Sequence, residues 1–354
     1  MIQRNATMAD VARLAGVGKM TVSRVLTGSA GVSAATAERV YRAIKILRYQ
    51  PNEVARSLRT VSSRTIGVIV PYLYDPFFAT CAHAISTVAK QHGYSVILTT
   101  SDENPDIEQK QTSQMLRRQV DGLVIIPVSD KRRYYSGEGF SRVHVVTVDR
   151  PAPGSHFDSV LVPNRAGARS AVEHLLGHGH RSIAFLGLSR TLYTMKARYA
   201  GYREAMSAAG HAPEPYIDCC TAERTMFLIG SMMRSRKPPT ALFAANNLCM
   251  RYALHALSAA GIQIPQRMAM VGFDDFETAD LMQPSLTVVR QPIYELGEAA
   301  ANLLFERILG RAAPKAGHRL ILPVKLVVRC SCGCQPSTSG IAKAKQAEAV
   351  INAG

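Results

Sequence analysis

The chain has 354 residues, 47% of them hydrophobic, and carries 42 Lys and Arg against 26 Asp and Glu, a formal net charge of +16. This apolar content excludes a wholly disordered basic protein, and the length corresponds to two or three domains of roughly 100–200 residues each. No run approaches the roughly 18–20 apolar residues of a membrane span, Arg4, Asp10, Arg13 and Lys19 interrupt the place of a secretory signal, and the seven cysteines fit free thiols in a reducing compartment.

The charge is unevenly spread. Residues 1–64 hold nine Arg and two Lys against Asp10, Glu38 and Glu53, a net of +8, whereas residues 65–334 carry only +7 over a far longer stretch. Such density in a short segment is the electrostatic footprint of a phosphate-binding module.

Thr7 followed by Asp10 forms a capping-box pattern that predicts a helix start near Met8, with Val11, Leu14 and Ala15 as its apolar face. Gly16-Val17-Gly18 predicts a tight turn. A second helix is expected from Lys19 to about Leu26, burying Val22, Val25 and Leu26 and leaving Lys19, Met20, Thr21, Ser23 and Arg24 less buried. Ser33 is placed to cap a third helix with the stripe Val40, Ile44 and Leu47, ended by Tyr49-Gln50-Pro51-Asn52. Three short helices with a glycine turn between the first two match a helix-turn-helix; the alternative is a small helical bundle without a partner.

The runs MADVARLAGVGKMTVSRVLTG and VSAATAERVYRAIKILRYQPNEVARSLRT resemble the headpiece of the LacI/GalR family of bacterial transcription regulators, and KMTVSR resembles its gluconate repressors. The resemblance implies that Lys19, Met20 and Arg24 read base edges in the major groove and that Thr21 and Ser23 touch phosphates. Gly18 stands where the family usually has Ser or Thr. The resemblance also implies a hinge helix after Asn52 whose Leu58 wedges into the minor groove at the operator centre.

From Thr65 onward, short β-rich runs at 66–70, 95–99, 123–126, 143–148, 183–186, 241–243 and 268–273 alternate with amphipathic stretches, several stopping at Gly93, Gly177, Gly210, Gly261 or Gly310. This predicts a doubly wound α/β region of mostly parallel sheets, large enough for two lobes. The runs IGVIVPYLYDPFFA, VDGLVIIP, GHRSIAFLG, ARYAGYREAM, LFAANN, VGFDDFETADL and LTVVRQPIYELGEAAANLL resemble the effector core of the same family, which is related to periplasmic sugar-binding proteins. The implied architecture is an N-terminal helix-turn-helix headpiece plus a two-lobed, periplasmic-binding-protein-like core. The implied pocket holds Asp75, Phe77, Asp149, Arg150, Arg198, Asn246, Asp274 and Gln291, each of which could alone be a turn or cap residue. Asn247 stands where the family usually has Asp, which removes a negative charge beside the implied pocket while Arg150 and Arg198 remain, and this leans the expected ligand toward a sugar acid such as gluconate or a ketogluconate.

The expected organisation is a DNA-binding domain at 1–50, hinge and linker at 51–64, an effector-binding and dimerisation core at 65–334, and a disordered tail at 335–354. Asp274-Asp275 is not read as a catalytic pair, because adjacent strand residues face opposite ways. His178-Gly179-His180 and Cys330, Cys332 and Cys334 are read as a helix-ending loop and free thiols, with no metal and no cofactor expected. The expected function is a cytoplasmic, nucleoid-associated transcriptional regulator and not an enzyme. It is expected to bind a pseudopalindromic operator as a homodimer or larger assembly, under control of a sugar or sugar acid, most often by release from DNA. The rival is a solute-binding protein for a transporter, which would need a signal peptide and no headpiece.

Overall fold

The computed structural model describes residues 6–27, 31–49, 62–128, 135, 140, 143–311 and 317–334. The chain divides into two compact units, Met1–Ser63 and Arg64–Gly354. No helix among the described residues is long and apolar enough to cross a membrane.

The first unit contains α1 (Met8–Ala15), α2 (Lys19–Thr27) and α3 (Ala34–Leu47). The Thr7–Asp10 capping box forms, with each partner satisfying the other's backbone N–H. Gly16 closes α1 at φ 64°, a left-handed conformation that glycine adopts without steric cost. The α1 face is rotated from the expected one: Leu14 is half exposed, and Val11, Ala12 and Ala15 instead pack on Val22, Val25, Val40 and Ala43. Ser33 caps α3 through the Thr36 amide, and Arg48 ends it at φ 47°.

The second unit holds two six-stranded sheets. The first has the order β11-β5-β4-β3-β1-β2, built from β1 (Thr65–Val70), β2 (Ser95–Thr100), β3 (Gly122–Ile125), β4 (His144–Val148), β5 (Asp158–Leu161) and β11 (Arg319–Ile321). The second has the order β12-β10-β9-β8-β6-β7, built from β6 (Ile183–Gly187), β7 (Glu214–Ile217), β8 (Ala241–Ala244), β9 (Ala269–Phe273), β10 (Thr287–Arg290) and β12 (Lys325–Val327). All pairings are parallel except β10 with β12. Five of these strands, β5, β7, β10, β11 and β12, escape the sequence reading; each has only three or four residues, and unlike the equally short β3 and β8 none is a continuous apolar run.

The helices are α4 (Pro76–Gln91) and α5 (Pro105–Arg117) in the first lobe, then α6 (Asn164–Gly177), α7 (Tyr193–Ala208), α8 (Ala222–Met233) and α9 (Asn247–Ala259) in the second. The last, α10 (Ile293–Ile308), returns to the first lobe and buries Leu296, Ala300, Leu304 and Phe305 against the first sheet. Gly93, Gly210, Gly261 and Gly310 follow helix ends at positive φ as expected; Gly177 instead stays helical and Gly179 takes that role at φ 85°.

The chain passes between lobes three times, at Val162-Pro163, Gln291-Pro292 and Leu322-Pro323. At the first two, proline centres an inverse γ-turn, with Asn164 N–H donating to Val162 O at 2.8 Å and Ile293 N–H to Gln291 O at 3.0 Å. Proline fixes one backbone dihedral at each passage.

Candidate functional site

In the first unit, Lys19, Met20 and Arg24 are exposed on α2 and Thr21 and Ser23 are half-buried, while Val22 and Val25 anchor the helix in the small core. Met20 keeps 65% of its surface in water although it is apolar. The amides of Thr21 and Val22 donate to the carbonyl of Gly18, which has no side chain to cap the helix. Two cations, two hydroxyls and an apolar tip on one helix can meet both phosphates and base edges. Leu58 and the expected hinge helix lie outside the described residues.

In the second unit, Asp75, Phe77, Asp149, Arg150, Arg198, Asn246, Asp274 and Gln291 all line one cavity of about 270 Å³ between the lobes. Asp75, Asp149, Arg150, Asn246, Asp274 and Gln291 lie just beyond the carboxyl ends of strands in both sheets, where parallel α/β folds leave a crevice, while Phe77 comes from the first turn of α4 and Arg198 from α7. Asp75 and Asn246 also have structural work: they cap α4 and α9 by accepting from the amides of Phe77 and Cys249, each at 2.9 Å. Asp149 and Asp274 occupy equivalent places after β4 and β9, both in the left-handed region at φ 66° and 75°. Aspartate tolerates that region better than most residues, and paired strain at one cleft marks a place where geometry outranks backbone comfort.

Arg198 is held by groups of the protein itself. Its Nε donates to Asn164 Oδ1 at 2.7 Å and its Nη1 to Ala245 O at 2.6 Å, with Nη1 also 3.5 Å from Asp274 Oδ2. The guanidinium lies over the Phe273 ring, 3.7 Å from its centroid. Gln291 donates through Nε2 to Asp274 Oδ1, and its buried Oε1 has no hydrogen-bond donor among the described residues. A buried unsatisfied acceptor on a cavity wall is a ready position for a ligand hydroxyl.

Arg150 is committed differently from what the sequence implies. Its Nη1 and Nη2 donate to the two carboxylate oxygens of Glu103 at 2.8 and 2.7 Å, and its Nε donates to Asp149 at 3.2 Å. Although burial works against the charge, these two carboxylates hold the guanidinium charged well above its ordinary range. Burial raises the carboxyl groups of Asp149 and Asp75 above the usual carboxylate range; Arg150 and Arg198 oppose this at Asp149, and hydrogen bonds from Asn247 and Phe77 oppose it at Asp75.

Sequence reasoning missed Glu103 and the tyrosines Tyr72, Tyr74 and Tyr252, which share the same cavity wall. Glu103 lies just beyond β2 as Asp75 lies beyond β1, so the strand-end rule could have found it. Asn247 is a link between lobes: its Nδ2 donates to Asp75 Oδ1 at 3.0 Å, while its own amide donates to Asp274 Oδ2 at 3.4 Å. An aspartate there would oppose Asp75 with like charge. Asp275 turns away from the cleft to Arg290 and Arg329, but both aspartates lie beyond β9 and Asp274 sits at φ 75°, so the turn of the backbone and not strand alternation separates them.

The thiols group otherwise than expected. Cys332 and Cys334 approach His174 and His178 across the second lobe, whereas His180 bonds Thr240 at 2.9 Å.

Residues 7–52 match the bacterial regulatory proteins of the lacI family, and residues 172–332 match the periplasmic binding protein-like domain. The ribose operon repressor of Halalkalibacterium halodurans is 33% identical over 323 residues, covering 91% of this chain and 96% of that protein. The chain belongs to the LacI family. A lac repressor dimer solved with operator and the anti-inducer ONPF superposes with a TM-score of 0.82 at 28% identity, covering 93% of this chain and 99% of that one. The regulator CelR, solved in complex with cellobiose, gives a TM-score of 0.67 at 31% identity, covering 92% and 99%. This LacI-family chain is therefore a DNA-binding transcriptional repressor with an effector-binding domain, and its homologues are regulators, not enzymes.

Proposed function

We propose that this repressor responds to an uncharged, polyhydroxylated sugar held between the lobes by Asp75, Asp149, Arg198, Asn246, Asp274 and Gln291, with Phe77 against the ring. The convergence of these side chains from both lobes on one cavity carries the reading. Four carboxylates, Asp75, Glu103, Asp149 and Asp274, face two guanidiniums there, Arg150 and Arg198. Carboxylates accept from sugar hydroxyls, and an aromatic face meets the apolar side of a sugar ring. A sugar acid such as gluconate or a ketogluconate fits less well. That expectation needed two arginines free for a carboxylate, but Glu103 and Asp149 occupy Arg150, while Asn164, Ala245 and Asp274 occupy much of Arg198. The likeness to a cellobiose-bound regulator and to a ribose operon repressor supports the same class.

Lys19, Met20, Thr21, Ser23 and Arg24 read and grip the operator, Leu58 wedges its centre, and a homodimer matches a pseudopalindromic site. The work is done at the nucleoid. Ligand that binds one lobe arrangement better than another changes the DNA-competent population, here toward release.

Calorimetry against matched pairs of neutral aldoses and their aldonates tests the charge argument. The expected result is binding of a neutral member, with its aldonate at least about tenfold weaker, and Glu103→Gln narrowing that gap by freeing Arg150. Tight aldonate binding with no response to any neutral sugar contradicts it.

A further inference from the structure

The donor atoms of His174, His178, Cys332 and Cys334 all lie within 4.8 Å of one another, and none of these residues lines the cleft cavity. His174 and His178 are one helical turn apart at the end of α6, so both imidazoles project from the same face. Cys334 Sγ is 3.0 Å from His178 Nε2 and 3.7 Å from His174 Nε2. Cys332 is fully buried in the core beneath α6. The turn carrying both thiols is built firmly. Gly333 sits at φ 93° with its amide on Cys330 O at 3.1 Å, and Ser331 ties the segment to Met270 and Thr287. This turn, not an extended strand, lets thiols two residues apart face the same way.

We propose that these four side chains form a closed Cys₂His₂ site for a divalent, thiophilic metal ion, zinc by preference. Zinc takes four such ligands tetrahedrally, at about 2.3 Å from sulfur and about 2.0–2.1 Å from nitrogen, which puts donors about 3.3–3.8 Å apart. The two Cys334 to histidine separations are already at or near that range, and the remaining donors need to close by only about 1 Å. Two thiols lose their protons to solvent as one Zn²⁺ binds, and two thiolates with two neutral imidazoles leave the site uncharged, which suits its apolar surroundings. The Thr287 hydroxyl, 3.1 Å from Cys332 Sγ, supplies a hydrogen bond to that thiolate. The metal would fasten the segment after β12 to the end of α6, the helix whose first residue, Asn164, holds Arg198 in the cleft.

Full-length protein, reduced and stripped with a chelator, is titrated with Co²⁺ and then Zn²⁺. One equivalent of Co²⁺ is expected to give tetrahedral visible bands and a thiolate charge-transfer band, both displaced by one equivalent of Zn²⁺, with a rise in thermal midpoint. Cys334→Ser and His178→Ala, at positions not fully buried, are each expected to weaken Zn²⁺ at least about tenfold with unchanged circular dichroism, while Cys330→Ser keeps the signature. Absence of stoichiometric binding, a six-coordinate cobalt spectrum, survival of binding in both ligand variants, or an equal loss in Cys330→Ser would overturn the assignment.

Discussion

Burial raises the Glu108 carboxyl from 4.5 to about 7, against the hydrogen bonds it accepts from Tyr135 Oη at 2.6 Å and Val128 N at 2.7 Å. Its folded-state value exceeds the unfolded one, so the native state binds the proton more tightly. Stability from this group is complete below pH 4.5 and is lost as pH rises through about 7, by about 3 kcal/mol in all. Glu108→Gln, which can donate to Tyr135 and accept from Val128, is expected to flatten that slope in urea melts taken across the window; an unchanged slope would assign the pH dependence elsewhere. At this scale the sequence revealed which residues gather in the cleft but not their pairings. Asp149, Arg150 and Arg198 were legible as strand-end or motif residues, whereas the neutralisation of Arg150 depends on Glu103, 47 positions earlier.

Two helix pairs pack closely because a glycine removes one layer of side chain. A Cβ on Gly201 of α7 would strike the backbone carbonyl of Arg165 on α6, and one on Gly297 of α10 would strike that of Cys81 on α4. Gly201→Ala and Gly297→Ala are each expected to cost about 1–3 kcal/mol by overpacking, despite alanine's better helix propensity. A thermal midpoint equal to or above the parent's in either variant would contradict the close-contact account. Element starts with local chemistry were readable: the Thr7 box and the Ser33 cap form as their spacing requires. The short strands β5, β7, β10, β11 and β12 were not, because partners distant in sequence define them. β11 pairs with β5 and β12 with β10, connections that no local pattern encodes. Of the proposed metal cluster, His178, Cys332 and Cys334 stood out in the sequence, but their approach to one another and to His174 did not, because thiols and imidazoles come from opposite ends of the second lobe's sequence.

The whole molecule joins a basic helix-turn-helix unit to a two-lobed core with a cleft between the lobes. The net charge of +16 acquires its meaning from where it sits: the N-terminal unit is dense in cations, while the cleft is rich in carboxylates. Those two electrostatic characters suit two different partners, a polyanion and a neutral polyol. The most direct test titrates a labelled pseudopalindromic operator with the full-length protein, with and without the neutral sugar identified by calorimetry, in parent and Arg198→Ala. The account predicts tight operator binding that the sugar weakens in the parent, and in Arg198→Ala similar sugar-free binding that the sugar no longer changes. Failure to prefer any palindromic DNA over random duplex, or a sugar response that survives in Arg198→Ala, would contradict it.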